Sequence, residues 1–133
     1  MSSYYEDIIK FHRAFDMPVS TRPNDIPYNR IQLRKKLMRE ELNELIEELD
    51  QPDINLVAAA KESADVIVTV LGTMVEFGLP FDKIWKAVCD SNMSKLSSNG
   101  QPIMRDDGKA LKGPNYKDPL SVISSAIVQA SIS

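Results

Sequence analysis

The sequence is poor in the residues that build disulfides and soft-metal sites: among 133 residues it has one cysteine, Cys89, and one histidine, His12. A lone cysteine excludes an internal disulfide, and the two residues together are too few for a zinc site of cysteine and histidine ligands. A di-iron bundle needs two Glu-x-x-His motifs, so the single histidine excludes that site as well. A Gly-rich phosphate loop of the Walker type is also absent.

A strong excess of charge and a long apolar run are absent too. The net charge of −3 at pH 7 leaves no basic surface that would attract nucleic acid. The longest apolar stretch, residues 64–75, is interrupted by Asp65 and is too short to span a bilayer. Glu6 and Asp7 lie where a signal peptide would need apolar residues. We therefore expect a cytoplasmic protein without a nucleic-acid or membrane partner.

Apolar residues recur at helical spacing along most of the chain, which predicts an all-α fold in one compact domain. Helices are expected over residues 4–15, 30–49, 54–77 and 81–95. The pattern over residues 120–132 is compatible with a fifth helix.

The segments between these helices contain turn-forming residues. Three prolines in residues 16–29 predict a loop. Asp53 is the predicted N-cap of the third helix. Residues 97–119 are expected to be irregular, with a hairpin turn at Asp107-Gly108.

The third helix carries an apolar arc far wider than the roughly 100° of an ordinary surface helix. Such a helix must be covered on several sides, and a domain of this size supplies limited cover. We therefore expect a homo-oligomer, a dimer or a tetramer, with the third helix near the interface.

Acidic residues form two short motifs, Glu40-Glu41-x-x-Glu44 on the second helix and Glu62-x-x-Asp65 on the third. Residues three or four apart share a helix face, and a short connection favours antiparallel packing of the two helices. The carboxylates are then expected to converge. Two carboxylates about 4 Å apart repel by roughly 4 kcal/mol near a protein surface, so the cluster needs a counter-charge. Oxygen ligands suit Mg²⁺, or Mn²⁺, better than zinc.

The first motif alone is also typical of a solvated helix face, on which Arg34 and its basic neighbours would accompany the acids. Glu62 and Asp65 are different because they interrupt an apolar helix, where an unpaired ion costs several kcal/mol. The polar strip continues along that helix with Thr69, Thr73 and Glu76. The presence of both motifs on adjacent helices favours a metal site.

A Mg²⁺ cluster in a helical domain indicates phosphate chemistry, because Mg²⁺ keeps several waters and binds substrate phosphates. Without a phosphate loop, the phosphate charge would be met by the metal and by basic side chains. Candidates follow the fourth helix: Lys95, Arg105, Lys109, Lys112 and Lys117. Each of them taken singly is more typical of an ordinary surface residue.

The two acidic motifs resemble the metal signature of the all-α nucleoside triphosphate pyrophosphatases. These are the MazG-like proteins, which have phosphoribosyl-ATP pyrophosphohydrolase and the dimeric dUTPases as relatives. Three further motifs resemble the small MazG-like branch with dUTPase-type activity: Phe11-His12-x-x-Phe15 with Pro18-Val19, Ser91-Asn92-Met93-Ser94-Lys95, and Asp107-Gly108-Lys109-x-x-Lys112-Gly113-Pro114-Asn115-Tyr116. We therefore assign residues 1–118 to a MazG-like domain and residues 119–133 to a C-terminal extension without a counterpart.

The resemblance implies an oligomeric four-helix bundle that hydrolyses a nucleoside triphosphate, first of all dUTP, to the monophosphate and pyrophosphate, in nucleotide-pool house-cleaning. It implies that the acids of both motifs are Mg²⁺ ligands and that one acts through water as general base: Glu40, Glu41, Glu44, Glu62 and Asp65. Substrate contacts are expected from a second set: His12, Asn92, Lys95, Lys109, Lys112 and Tyr116. The alternative is a non-catalytic helical module that binds a nucleotide or another protein.

Overall fold

The computed structural model describes residues 3–132, which contain five α-helices: α1 (Tyr4–Ala14), α2 (Tyr28–Leu49), α3 (Leu56–Phe77), α4 (Phe81–Met93) and α5 (Leu120–Ile132). Within these residues the β-structure is limited to one isolated antiparallel bridge, between Met104 and Ala110. The predicted all-α fold is confirmed, including the fifth helix.

The described residues form two compact units, the first ending at Leu79 and the second beginning at Pro80. The division into residues 1–118 and 119–133 stays a prediction. Ser133, at the end of that extension, lies outside the described residues.

The start of α3 differs from the expectation. The helix begins at Leu56, and the side chain of Asn55 accepts a hydrogen bond from the backbone N–H of Ala58 at 3.1 Å. Asn55 is therefore the N-cap, and the prediction of Asp53 was wrong. Asn and Asp cap helices about equally well, so the residue type alone did not distinguish the two positions.

The proline-rich segment between α1 and α2 is a loop, as predicted, and it caps the end of α3. The N–H of Ser20 donates to the Val75 carbonyl at 3.1 Å, and its hydroxyl donates to the Glu76 carbonyl at 2.6 Å. The N–H of Asn24 donates to the Phe77 carbonyl at 3.0 Å. These bonds satisfy carbonyls that the last turn of any helix leaves unpaired. The loop therefore fixes the C-terminal end of α3.

Helices α2 and α3 pack antiparallel, as the short connection between them predicts. Arg34, near the start of α2, contacts Thr73 in the second half of α3. Glu41, farther along α2, meets Glu62 and Asp65 in the first half of α3. The polar strip of α3 therefore faces α2 rather than solvent.

The second unit contains α4, a hairpin-like turn and α5. The N–H of Arg105 donates to the Lys109 carbonyl at 2.8 Å, and Gly108 in the turn has φ 90°. The hairpin turn predicted at Asp107-Gly108 is therefore present. The hydroxyl of Ser91 on α4 donates to the Lys117 carbonyl at 2.7 Å, which fastens the segment before α5 to α4.

Large apolar side chains remain exposed on both units of the chain. On α3, Val57 is 82% and Ile67 is 54% exposed. On α5 the exposed residues are Leu120, Val122, Val128 and Ile132. Within residues 3–132 no single helix is long and apolar enough to cross a membrane, and α3 and α4 reach that length and composition only when taken together.

Candidate metal centre

Three carboxylates meet where the middle of α2 packs against the first half of α3. One oxygen each of Glu41, Glu62 and Asp65 lies within 4.8 Å of the other two, and all three residues are half-buried. Glu62 and Asp65 share a face because they are three apart on α3. Glu41 reaches them from the opposing helix. The structure thus brings together three of the acids predicted from the two motifs.

Two oxygens of this cluster have no partner. Glu41 Oε2 and Glu62 Oε2 are buried and accept no hydrogen bond from any group in residues 3–132. A buried acceptor left unpaired costs about 1–3 kcal/mol, and more when it is charged. Converging carboxylate oxygens without donors fit a hard divalent cation such as Mg²⁺ or Mn²⁺. The donor set therefore fits the metal that the sequence predicts.

Lys61 supplies part of the counter-charge. Its Nζ lies 2.6 Å from Asp65 Oδ2 and 3.5 Å from Glu62 Oε1. The hydrogen bond to Asp65 raises the pKa of the Lys61 ammonium. Lys61 is not among the residues predicted from the sequence, although its spacing of four residues from Asp65 on a helix is the signal of such an ion pair. The Lys61 side chain is 66% exposed, so it covers the cluster from the solvent side.

The other two predicted ligands lie outside this cluster. Glu40 is exposed, and its Oε1 lies 3.9 Å from Lys36 Nζ. Glu44 is also exposed, but it follows Glu41 by three residues and therefore lies on the same face of α2.

A second group of charged side chains lies farther along the α2–α3 interface. Glu76 is fully buried, and Arg30 holds its carboxylate with two hydrogen bonds of 2.8 Å, one to each oxygen. Arg34 Nη1 lies 3.3 Å from Glu76 Oε2. We refer to Glu76, Arg30 and Arg34 as the Glu76 ion cluster. The hydrogen bonds with Glu76 raise the pKa of Arg30, whereas burial lowers the pKa of Arg34.

The alternative interpretation of the first motif placed Arg34 on a solvated helix face, but in the structure Arg34 is buried. It is 4% exposed and donates to the Thr73 hydroxyl at 3.2 Å and to the Thr69 carbonyl at 2.8 Å. Gly72 makes this close approach feasible, because a Cβ at that position would collide with Arg34 Nη2 and His12 Nε2. Thr69 and Thr73, which the sequence places on one polar strip, serve as partners of this arginine.

His12, a predicted substrate contact, lies in the core of the first unit with 1% exposure. Its Nδ1 is 2.9 Å from the Pro18 carbonyl oxygen. Because a carbonyl only accepts, Nδ1 carries the proton in this contact. A substrate-binding role for His12 stays a prediction.

The remaining predicted substrate contacts belong to the second unit. Asn92 is exposed near the end of α4, and Lys95 is half-buried just beyond it. Lys109 is exposed beside the hairpin turn. Lys112 Nζ lies 4.7 Å from the centre of the Tyr116 ring, within the range of a cation–π contact. The roles of these residues toward a nucleotide stay predictions.

Both acidic motifs lie in a part of the chain that matches a known protein family. The family model described as phosphoribosyl-ATP pyrophosphohydrolase matches residues 8–92, which include both acidic motifs. The crystal structure of a candidate NTP pyrophosphohydrolase from Exiguobacterium sp. 255-15 is similar, with a TM-score of 0.53 and 21% sequence identity over 97% of this chain and 96% of that chain. At this identity the likeness shows the fold alone. No curated protein matches the chain. The chain belongs to the phosphoribosyl-ATP pyrophosphohydrolase family, and so to the MazG-like all-α pyrophosphohydrolases, a class of hydrolases.

Proposed function

We propose that the protein is a Mg²⁺-dependent pyrophosphohydrolase that cleaves a nucleoside triphosphate to the monophosphate and pyrophosphate. One observation carries the proposal: among residues 3–132, Glu41 and Glu62 each keep a buried oxygen without a partner, in a cluster with Asp65. In a member of this family, such oxygens are suited to hold the metal that phosphate chemistry needs.

Glu41, Glu62 and Asp65 are the inner members of the proposed metal site. Glu44 and Glu40 are retained as outer members, since both are exposed and Glu44 shares the face of Glu41. A bound Mg²⁺ or Mn²⁺ supplies charge neutralisation for phosphate oxygens and a water of lowered pKa. A carboxylate of the set that does not hold the metal would be placed to act as a general base toward an attacking water. Lys61, exposed beside the cluster, is available to a phosphate oxygen when an ion replaces it at Asp65.

The substrate class is a nucleoside triphosphate, and we propose dUTP or another pyrimidine deoxynucleotide first. Support comes from the resemblance of three motifs to the dUTPase-type branch, not from a pocket. The name of the matching family adds phosphoribosyl-ATP as a second candidate substrate. Phosphate contacts from Lys95, Lys109 and Lys112 are part of this proposal.

A homodimer or homotetramer is proposed as the working form. The support is the exposure of large apolar side chains on α3 and α5, such as Val57 at 82% and Ile132 at 73%. Isolated soluble chains seldom leave contiguous apolar surface uncovered. A cytoplasmic location, without nucleic-acid or membrane partners, stays the expectation from composition.

The activity is tested by incubating the protein and Mg²⁺ with dUTP, the other common nucleoside triphosphates and phosphoribosyl-ATP, and by separating pyrophosphate from orthophosphate. We expect pyrophosphate and a monophosphate from at least one of them. Glu62→Gln removes the negative charge of a carboxylate whose Oε2 has no partner within residues 3–132, and Glu47→Gln, at an exposed position of α2, is the matched control.

Three results decide between the hypotheses. Release of orthophosphate and a diphosphate, or no turnover of any substrate, contradicts the proposed activity. Tight nucleotide binding without release of pyrophosphate supports the non-catalytic module instead. Equal activities of Glu62→Gln and Glu47→Gln would contradict the proposed site even if the protein is active.

A further inference from the structure

The two helices that carry the candidate metal centre are fastened at both ends. At one end, residues 50–55 connect α2 directly to α3. At the other end, where α2 begins and α3 stops, the two helices are not consecutive in the chain. The loop before α2 caps the end of α3, and the Glu76 ion cluster joins the side chains of the two helices directly. The carboxylates of Glu41, Glu62 and Asp65 lie between these two fastenings.

The candidate metal centre lies closer to the end of α3 that is connected to α2 than to the end that carries Glu76. Glu62 follows the start of α3 at Leu56 by less than two turns, about 9 Å along the axis. Asp65 precedes Glu76 by three turns, about 16 Å. A change of the angle between α2 and α3 at the Glu76 end therefore moves Glu41 relative to Glu62 and Asp65.

The carboxylates themselves push the helices apart. Three acids with oxygens within 4.8 Å of one another repel whenever no cation lies among them. Lys61 offsets only part of this repulsion because it is 66% exposed and interacts from the solvent side. Interactions elsewhere along the α2–α3 interface, among them those of Arg34 with Thr69 and Thr73, therefore oppose this repulsion.

The Glu76 ion cluster is better suited to fixing the angle between α2 and α3 than to adding to the free energy of unfolding. A buried ion pair is often no more stabilising than apolar side chains of the same volume, and its best-attested use is to specify one arrangement of helices. Here Arg30 engages both oxygens of Glu76, and Arg34 engages α3 at three groups. Apolar residues would tolerate a change of angle between the helices, whereas this set of directed bonds does not.

We propose that Glu76 is a positioning residue. Through Arg30 and Arg34 it holds the start of α2 against the end of α3. This contact keeps Glu41 at metal-binding distance from Glu62 and Asp65. The proposal rests on the proposed function in one respect, that these three acids receive a divalent cation. Glu76 itself touches neither metal nor substrate. Its effect is on the geometry of the three acids.

The first experiment measures the helix separation directly and without metal. Spin labels are attached to cysteines introduced at Asn43 on α2 and Ala60 on α3, both exposed, in a Cys89→Ser background. Pulsed EPR then gives the distribution of label distances. We expect Glu76→Gln, which leaves two guanidinium groups without an anion, to broaden this distribution. Val75→Ala, one residue away and also in the core, is the control for lost stability and should leave it narrow.

The second experiment measures Mn²⁺ affinity on the unlabelled protein from the EPR signal of free Mn²⁺. We expect Glu76→Gln to raise the Kd for Mn²⁺ by about tenfold, the size of effect that outer groups orienting a metal site usually have. Glu76→Asp, which keeps the negative charge, should restore part of the affinity. Val75→Ala should bind Mn²⁺ as the wild type does. Equal affinities and equal distance distributions in Glu76→Gln and Val75→Ala would overturn the proposal.

The two experiments also separate this proposal from the proposed function. If the wild type hydrolyses no nucleotide but Glu76→Gln still broadens the distances, the activity is refuted and the positioning role stands. If hydrolysis is normal and the distances in Glu76→Gln match the wild type, the positioning role fails alone. Should Glu76→Gln lose its helical spectrum, Arg30→Gln replaces it with the same two outcomes, because the Arg30 side chain is 23% exposed and Arg34 still lies 3.3 Å from Glu76 Oε2.

Discussion

Glu41 of α2 and Glu62 of α3 each bury a carboxylate oxygen that receives no hydrogen bond within residues 3–132. Both residues belong to one cluster with Asp65, with oxygens inside 4.8 Å. At about 4 Å two such charges repel by roughly 4 kcal/mol at the effective dielectric of a protein surface. Without a counter-ion the cluster therefore carries an electrostatic cost, and a divalent cation bound there would remove it.

Added Mg²⁺ should stabilise the folded protein. At a concentration about a hundred times the Kd, a ligand that binds only the native state adds about 2.7 kcal/mol, which corresponds to a rise of roughly 5–10 °C in Tm. Thermal denaturation followed by circular dichroism, with EDTA and with Mg²⁺, measures the shift. Glu62→Gln should reduce it strongly and Glu47→Gln should not. An unchanged Tm in the wild type would refute a metal site at this cluster.

Substitutions of the inner carboxylates should cost more activity than those of the outer ones. We expect Glu41→Gln and Asp65→Asn each to lower kcat/KM by about a hundredfold or more while the helical spectrum is kept, since each removes an oxygen ligand. Glu40→Gln and Glu44→Gln should cost at most about tenfold. Steady-state kinetics with the preferred triphosphate tests this order. A larger loss from Glu40→Gln than from Glu41→Gln would show that the cluster is not arranged as described.

Lys61 should compete with the metal for Asp65. Removing its ammonium in Lys61→Met leaves the acids without their neighbouring counter-charge, so Tm in EDTA should fall and the rise caused by Mg²⁺ should increase. Asp65 raises the pKa of Lys61 above its ordinary 10.5. The contribution of this pair to stability is therefore complete below pH 10.5 and is lost as the pH rises through the raised pKa. Lys86→Met, which disrupts an exposed ion pair on α4, is the control. Identical Mg²⁺-induced shifts in both variants would argue against competition.

Gly72 should not tolerate a side chain. A Cβ there meets Arg34 Nη2 and lies 2.8 Å from His12 Nε2, and Arg34 cannot withdraw without losing its bonds to Thr69 and Glu76. We expect Gly72→Ala to lower the free energy of unfolding by about 1–3 kcal/mol, as overpacking usually does. Urea denaturation measures the difference, with Ala60→Ser at an exposed position of the same helix as control. Stability equal to that of the control would mean that the arginine is held less firmly than its contacts indicate.

Much of the fold follows from helical periodicity, because apolar stripes and turn residues are local features of a sequence. Four helices and the turn at Asp107-Gly108 were predicted in this way, with helix ends shifted by at most two residues, and the fifth helix was given as a possibility that the structure confirms. The N-cap of α3 was misplaced because Asp53 and Asn55 satisfy the same local rule. In the structure it is the Asn55 side chain that accepts from the Ala58 N–H and so begins α3.

The site was predicted in part for the same reason. Spacing placed Glu62 and Asp65 together and gave them Glu41 as an opposing partner, which the structure reproduces. Spacing did not show how far α2 is rotated about its axis, and this rotation leaves Glu40 exposed while it buries Arg34. The Glu76 ion cluster was missed because a charged residue such as Arg30 is ordinarily expected to be solvated. Its contact with Glu76 on the opposing helix cannot be read from the sequence of α2 alone.

The loop that caps α3 has a consequence for local rigidity. Ser20 and Asn24 lie in a proline-rich connection, yet their amide protons are bonded to carbonyls of Val75 and Phe77. Deuterium can replace those protons only when the loop lifts off α3. Both amides should therefore exchange slowly in heavy water, at rates close to those of the last turn of α3. The exchange rates of a segment whose composition is typical of a coil should then report how often the end of α3 opens.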